Sequence, residues 1–337
     1  MDVQVLEAYL GPVRRRRRVT AIFGTTPIMD TQIIEQSVLQ RAEAFVDTVV
    51  TPRVAQTPRE DPRTRRARAE MGREDSDAGL RALRAAGLDL DRLDALVADR
   101  SQARRERLQQ AHQRAVAGSA EAERRLAGLA PARPLVVPET IMIQEVTFIR
   151  SFAGEGVVYA SSINPLDSWA QYGLDASGDS VGESGLGRLS FFTLWQNQQT
   201  DPVILTAGAQ LVVNANLSVD ADANGVASWF LPDSEAKATV GTRTTVWGMD
   251  SSVSSIVQES TLASDSVNGG FFGGDDSDSI TFNGFLNASG VLVPAKAWSL
   301  IEVSILTQWY ALDGSVHLDA HNGKFKVTVP WLMLTVS

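Results

Sequence analysis

The spacing of apolar residues changes along the chain, from three or four positions in the first third to two positions afterwards. One stripe at helical spacing comprises Ile34, Val38, Ala42, Phe45 and Val49. This stripe predicts a helix from Asp30 to about Val50. Similar spacing predicts helices over 77–87, 89–117 and 119–129, with Ser119 as the cap of the last one. The stripes are thin, so these helices need a partner to pack against.

After residue 136 the pattern alternates and is rich in Val, Ile, Thr, Phe and Trp, which is typical of β-strands. The predicted strands are Ile141–Ile149, Leu189–Gln196, Val203–Val219, Val226–Leu231, Thr242–Met249, Ser279–Leu286, Leu300–Leu312 and Lys324–Val336. Strands without intervening helices exclude a doubly wound nucleotide-binding sheet. The expected fold is therefore α+β: an N-terminal helical region followed by an antiparallel β-sandwich that resembles a jelly roll.

Short turn signals separate several of these strands. Asn224–Gly225, Asp313–Gly314 and Asn322–Gly323 each predict a tight hairpin turn. Pro330 lies inside the last predicted strand, where it cannot donate a ladder hydrogen bond. That strand is expected to lie at an edge or to contain a bulge at the proline.

The charge of the chain divides at the same place as its hydrophobic pattern. Residues 1–133 contain 24 Arg, no Lys and 19 acidic residues, whereas residues 134–337 contain 3 Arg, 4 Lys and 21 acidic residues. The change falls near Pro131, Pro134 and Pro138 and predicts a domain boundary. The expected domains are an Arg-rich helical docking region (1–133) and an acidic sandwich (134–337). Their opposite charges favour contact between them or between neighbouring subunits.

Composition excludes several classes of chemistry. The chain has no cysteine, so disulfides, thiolate metal sites and cysteine nucleophiles are absent. No apolar stretch approaches the roughly 20 residues of a membrane-spanning helix, and no secretion signal is visible. We expect synthesis in the cytoplasm without a signal peptide, no membrane span, and no obligatory cofactor.

A run of five arginines is the most basic segment: Arg14, Arg15, Arg16, Arg17 and Arg18. It predicts binding to an anionic partner, such as nucleic acid, or a solvated and ion-paired segment. A loop carrying Asp275, Asp276 and Asp278 is its expected partner in neighbouring copies, and a homo-oligomer or larger assembly would follow. The same loop also allows calcium binding or simple exposure to solvent.

Two short patterns allow metal binding. His317, Asp319 and His321 alternate, so on a strand they share one face and match zinc or iron ligands. A polar outer face of the strand is the alternative. Asp220, Asp222 and Asn224 match the first half of a calcium loop, but Leu231 stands where that loop requires Glu. A plain hairpin turn is the alternative there.

No catalytic motif is present, although a pair of carboxylates brought together by the fold would escape detection. The leading hypothesis is a non-catalytic structural or interaction protein that self-assembles or docks through its Arg-rich region. A basic N-terminal region followed by a sandwich is similar in layout to coat and appendage proteins of viruses and phages. The alternative is a carbohydrate-binding module or lectin-like sandwich, with tryptophan beside Asp or Asn as the expected site.

Overall fold

A computed structural model describes residues 15–16, 19–23, 26–30, 33–52, 76–128, 140–153, 157–179, 182–223, 234–250, 254–287 and 290–337. Over these residues the chain forms a short helical N-terminal region followed by antiparallel sheets in a sandwich-like arrangement. The predicted α+β class is confirmed. None of the helices described is long and apolar enough to cross a membrane.

Three helices are found among the described residues, all of them before residue 129. They are α1 (Gln36–Phe45), continued by a π-helical turn (Val46–Val50), α2 (residues 76–85) and α3 (Leu90–Gly128). Helix α1 begins later than the stripe predicts, because Asp30 belongs to a strand and Glu35 is the N-cap. Helix α3 is continuous where two helices were expected. Ser119 does not cap a helix; its hydroxyl donates to Val116 O (2.7 Å) within α3.

Seventeen strands are present among the described residues. They are β1 (Arg15–Arg16), β2 (Val19–Phe23), β3 (Thr26–Asp30), β4 (Ile33–Ile34), β5 (Thr140–Ile143), β6 (Phe148–Ala153), β7 (Val157–Asn164), β8 (Trp169–Gly178), β9 (Glu183–Gln196), β10 (Val203–Ala221), β11 (Glu235–Gly248), β12 (Ser254–Asn268), β13 (Gly274–Asn287), β14 (Val291–Val293), β15 (Trp298–Leu312), β16 (Gly314–Ala320) and β17 (Lys326–Val336).

The strands form two large sheets in which all pairings are antiparallel. One sheet has five strands in the order β12-β11-β15-β9-β6. The other has ten, with the long strand β10 near one side. Along one edge β10 pairs with β13, and along the other it pairs first with β17 and then with β16. The sheet therefore divides at β16 and β17, and β8 and β5 extend it beyond them.

The main core lies between the two sheets. Alternate residues of β10 are buried there: Ala209, Leu211, Val213, Ala215 and Leu217. They pack with the inward residues of the five-stranded sheet, such as Val303 and Ile305. The residues between them on β10 face outward and are mostly polar, which is the expected consequence of a period of two. This outward face carries the candidate site.

Two predicted turn features are present in the structure. Asp313 (φ 45°) and Gly323 (φ 59°) have left-handed backbone at the turns before β16 and β17. At Pro330 the register between β10 and β17 shifts: Gln210 pairs with Trp331, but Val212 pairs with Thr328. This is the bulge that the missing proline donor predicts. Asn224–Gly225 lies outside the described residues.

The sequence did not indicate two features of the sheets. Strands β2 and β3 join the ten-stranded sheet through β5, so part of the first 133 residues is strand and not helix. The segment that was expected to be an acidic loop is instead the beginning of strand β13, where Asp275 pairs with Asp220. A neighbouring strand supplies the ladder hydrogen bonds that make an acidic segment extended, and local sequence carries no sign of that neighbour. The boundary at residues 133 and 134 stays a prediction.

Candidate functional site

Helix α3 lies across the outward face of β10 and β13, and the contact between them is largely polar. We call it the α3–sheet interface, meaning the residues of α3 from Arg104 to Leu126 and the outward residues of β10, β13, β16 and the β16–β17 turn beneath them. The predicted apolar stripe of this helix contributes little here. Val97 is buried, but Leu96 is exposed to solvent.

The first part of the interface is an ion pair. Arg104 is 2% exposed, and its Nε lies 2.9 Å from Asp220 Oδ1. Its Nη1 donates to Phe272 O (3.0 Å) in the turn before β13. Gly273 (φ 77°) makes room for the guanidinium, since a side chain at that position would overlap it. The helix is thereby fixed to the acidic end of β10.

The second part of the interface is centred on Ser119. Its hydroxyl accepts a hydrogen bond from Lys324 N (3.0 Å), and its carbonyl accepts one from Asn214 Nδ2 (3.0 Å). One turn later, Lys326 Nζ donates to Glu123 (2.5 Å). Gly323 brings the β16–β17 turn close to the helix, because a Cβ there would lie 2.9 Å from Ser119 Oγ. These contacts hold the second half of α3 against the sheet.

All three histidines of the chain gather at one buried carboxylate, that of Asp319 on β16. His112 Nε2 of α3 lies 3.2 Å from Asp319 Oδ2, and His321 Nδ1 lies 2.8 Å from Oδ1. The rings of His112 and His317 meet edge to face with their centroids 5.8 Å apart. His317 Nδ1 contacts Asp175 on β8. His112, His317 and Asp319 each offer a ligand atom within 4.8 Å of the others.

Asp319 is held in its ionised form by the turn that follows it. Burial alone would raise the pKa of this carboxyl, but hydrogen bonds from His321 N, Asn322 Nδ2 and Asn322 N outweigh burial and lower the pKa below its usual value. The donor distances are 2.9–3.0 Å. The charge of His321 acts in the same direction. A charged carboxylate therefore lies beneath α3, next to two imidazoles.

A cavity of about 440 Å³ opens beside this cluster, between α3 and the sheet. Its helical wall is made of small residues with Arg114 at one side, namely Ala111, Ala115, Gly118, Ser119 and Ala122. Its floor consists of uncharged polar residues and one aromatic ring, namely Asn214, Asn216, Ser277, Ser279, Thr281 and Phe325. Small residues on the helix leave the space that larger side chains would fill.

Asn216 is the most informative residue of the cavity floor. It is 2% exposed, and its Nδ2 donates to Ser277 Oγ (3.2 Å) and to Asp278 O (3.0 Å). Its Oδ1 is buried and has no hydrogen-bond partner among the described residues. A buried acceptor without a donor is costly, by roughly 1–3 kcal/mol.

Acidic residues gather at the other end of the interface. Burial raises the pKa of Asp220, Arg104 lowers it in part, and Asp222 and Asp275 add to the rise. Burial raises the pKa of Asp265 to about 6, and the nearby carboxylates of Asp278 and Asp276 contribute. This end of the sandwich therefore carries carboxylates that lack sufficient positive charge.

The structure distributes the sequence-predicted site residues as follows. Of the arginine run, Arg14, Arg17 and Arg18 lie outside the described residues, and only the backbone of β1 is described for the other two. Asp275, Asp276 and Asp278 lie on β13, where Asp275 pairs with Asp220, the ion-pair partner of Arg104, and Asp276 and Asp278 lie close to Asp265. Docking through these residues stays a prediction.

The two predicted metal patterns have different surroundings. Asp220 and Asp222 face the guanidinium of Arg104, at 2.9 and 3.9 Å, and Asn224 lies outside the described residues. Arg104 thus supplies positive charge where the sequence suggested calcium. His317 and Asp319 do come together, and the structure adds His112 to them. The sequence indicated no role for His112, because α3 and β16 are brought together only by the tertiary fold.

Comparisons with known proteins give weak matches. No protein-family model matches the sequence, and no curated protein matches it. The chain is similar to the family 11 carbohydrate-binding module of cellulase Lic26A-Cel5E of Clostridium thermocellum, with 11% identity, 57% of this chain and 89% of that chain covered, and a TM-score of 0.18.

Two further solved structures are similar at the same level. One is TmCBM61 in complex with β-1,4-galactotriose, with 11% identity, 51% and 90% of the two chains covered and a TM-score of 0.16. The other is the family 11 module from Clostridium thermocellum in complex with a mixed-linked tetrasaccharide, with 12% identity, 59% and 97% covered and a TM-score of 0.16.

Proposed function

We propose that this protein is a non-catalytic binding module that holds a small, neutral, hydroxyl-rich ligand of the carbohydrate class between α3 and the ten-stranded sheet. The observation that carries the proposal is the cavity of about 440 Å³, whose floor is formed mainly by amide and hydroxyl side chains. This volume lies within the range of small-molecule sites and exceeds that of a single sugar ring.

The chemistry of the lining favours a neutral ligand. Asn214 and Asn216 carry amides, which both donate and accept, and Ser277, Ser279 and Thr281 carry hydroxyls. Neighbouring hydroxyl groups of a sugar also donate and accept, so each can pair with such a lining. Arg114 adds a donor at one side. A lining of this kind positions and holds a ligand, which supports binding over chemical transformation.

The test is a glycan array, followed by calorimetry with the best-bound oligosaccharide and the full-length protein. Gly118→Leu is the informative variant, because a Cβ at Gly118 meets no atom within 4 Å and a larger side chain can occupy the cavity. We expect this variant to remain folded and to lose at least about tenfold in affinity, since it excludes ligand from the space it fills.

Gly128→Leu is the matched control. It makes the same substitution in the same helix, a Cβ there also meets no atom within 4 Å, and Gly128 does not line the cavity. We expect it to bind like the wild type. Absence of glycan binding by the wild-type protein, or equal affinity of Gly118→Leu and the wild type, would contradict the proposal.

Assembly or docking through Arg14–Arg18 is a separate hypothesis. It would account for the charge difference between residues 1–133 and 134–337. Within the described residues, the basic and acidic parts meet inside one chain, where Arg104 pairs with Asp220. This ion pair brings the opposite charges together within a single chain, without a second copy. The cavity therefore supports a binding role more directly than the charges support assembly.

A further inference from the structure

We propose that His112, His317 and Asp319 form a binding site for a divalent transition metal of the zinc class, and that the metal joins α3 to β16. The inference goes beyond the proposed ligand cavity and uses different residues. It differs from the set that alternation along β16 predicts, because His112 of the helix takes the place of His321.

The ligand types and their spacing fit such an ion. Two imidazoles and one carboxylate are borderline ligands that zinc accepts, and each residue places one ligand atom within 4.8 Å of the others. Ligand atoms around a tetrahedral zinc ion lie roughly 3.3 Å apart, given bonds of about 2.0 Å. His112 Nε2 and Asp319 Oδ2 are already 3.2 Å apart.

The surroundings of His317 resemble those of a metal-bound histidine. Its Nδ1 contacts the carboxylate of Asp175, which leaves Nε2 as the nitrogen available to a metal. A carboxylate on the second nitrogen fixes the tautomer and orientation of a ligating imidazole and increases its basicity. Asp319 is oriented similarly by backbone donors of His321 and Asn322. Two of the three ligands are therefore held in place before any metal arrives.

His112 supplies the ligand that comes from the helix. Its Nε2 lies beside Asp319 Oδ2, so this nitrogen would bind the metal. Its Nδ1 is buried and has no hydrogen-bond partner among the described residues, and a metal at Nε2 would leave it so. The position of His112 at the middle of α3 makes the metal a link between helix and sheet.

The cluster also borders the proposed ligand cavity. His112 follows Ala111 of the cavity wall, and Asp319 pairs across the sheet with Asn216 of the cavity floor. Three protein ligands leave a tetrahedral zinc ion one position for water. The metal proposal stands without any sugar binding, and the calorimetry described next contains no sugar, so the two proposals can fail separately.

The experiment is titration of metal-free, full-length protein with zinc chloride by calorimetry, together with cobalt(II) absorption spectra. We expect one zinc ion per chain with a Kd of about 1 µM or lower, and the visible bands of four-coordinate cobalt. His112→Ala and His317→Ala should each weaken zinc binding by about a hundredfold or more. Asp175→Asn, which acts only through His317, should weaken it by about tenfold.

His321→Ala is the control that separates the two ligand sets. We expect it to bind zinc nearly as well as the wild type. Circular dichroism and tryptophan fluorescence identify any variant that fails to fold, and His112→Gln then replaces His112→Ala. Three results would overturn the site: no saturable zinc binding by the wild type, unchanged binding by folded His112 variants, or a loss in His321→Ala as large as that in His112→Ala.

Discussion

The two sheets of the sandwich are each covered on their outer face by a helix, and the two contacts are built in opposite ways. Helix α1 packs on the five-stranded sheet through buried apolar residues, and Phe45 meets Trp247 edge to face with ring centroids 6.2 Å apart. Its ion pairs, Arg41 with Asp250 and Arg150 with Asp47, lie at the margin. The residues of α1 that face the sheet are apolar, and the sheet beneath them carries one buried ion pair, Arg188 with Glu302, to which Trp247 Nε1 donates (2.9 Å).

Helix α3 shows the reverse arrangement. Its central contacts are the Arg104–Asp220 ion pair, the hydrogen bonds of Ser119 and the meeting of His112 with Asp319. Polar contacts depend on direction, so they leave a cavity and unpaired atoms wherever the partners do not match. A protein keeps such mismatches chiefly where they serve function. The contacts that α3 itself makes with its sheet are therefore mainly polar, whereas those that α1 makes are mainly apolar.

The largest effect on stability is expected when a side chain at the centre of the α1 contact is truncated. Phe45→Ala removes a buried ring that packs with Trp247 and the aromatic cluster around Phe192. We expect a loss of about 4 kcal/mol in the free energy of unfolding, because the ring leaves a cavity as well as its transfer energy. Urea unfolding followed by tryptophan fluorescence measures it.

The control for Phe45→Ala is Gln40→Ala on the exposed side of α1. We expect it to change stability by less than about 0.5 kcal/mol. Zinc and glycan binding should be unaffected in both variants, since neither residue contacts α3 or the ten-stranded sheet. A loss below about 1 kcal/mol for Phe45→Ala would show that α1 contributes little to the fold.

A smaller effect is expected at the polar contact. Arg104→Met keeps the length of the side chain but leaves Asp220 buried beside Asp222 and Asp275 without its cation. We expect a loss of about 2–3 kcal/mol, since removing one partner strands the other charge. Limited proteolysis should also cut α3 earlier than in the wild type, because the helix is held mainly by such contacts.

Arg107→Met tests whether the charge of α3 matters apart from this pairing. Arg107 lies on the exposed side of the same helix, one turn from Arg104. Its loss should change stability by less than about 0.5 kcal/mol. If the two variants behaved alike, the general basic charge of the helix would be responsible and the specific ion pair would not.

The sequence predicted those parts of the fold that local pattern controls. The α1 stripe packs as expected, with Ile34, Ala42 and Phe45 buried. The alternation of apolar and polar residues predicted the long strands of the sandwich, and Pro330 predicted the bulge in β17. Each of these depends on spacing within about ten residues. The predicted break between a helix ending at residue 117 and one capped by Ser119 was wrong, because α3 runs on to Gly128 and the Ser119 hydroxyl pairs instead with Val116 O and Lys324 N.

Only part of the candidate site could be predicted from the sequence. His317 and Asp319 share one strand face, so alternation placed them together. His112 joins them only because α3 crosses β10 and β13, which no local pattern encodes. The cavity has the same origin, since small residues such as Ala115 and Gly118 look like ordinary helix positions until the sheet beneath them is known. The fact that the chain has just three histidines was the one available signal.

The smallest expected effect concerns Asp265 on β12 of the five-stranded sheet, close to the carboxylates of Asp276 and Asp278 on β13. Asp265 is buried, its Oδ2 has no hydrogen-bond partner among the described residues, and its pKa is raised to about 6. A carboxyl with a higher pKa in the folded state binds more protons when folded. The wild-type protein should therefore lose stability as the pH rises from about 4 to about 6, and keep that loss above pH 6.

Asp265→Asn removes the ionisation, so it should stabilise the protein by about 1 kcal/mol at pH 8, after allowance for solvent screening, and by almost nothing at pH 4. Urea unfolding at both pH values measures the difference. Asp99→Asn, on the exposed surface of α3, should give no gain at either pH. An equal gain for Asp265→Asn at pH 4 and pH 8 would mean that the packing of this side chain, and not its charge, lowers the free energy of unfolding. The contrast between an apolar and an electrostatically unsatisfied face of the sandwich would then not extend to Asp265.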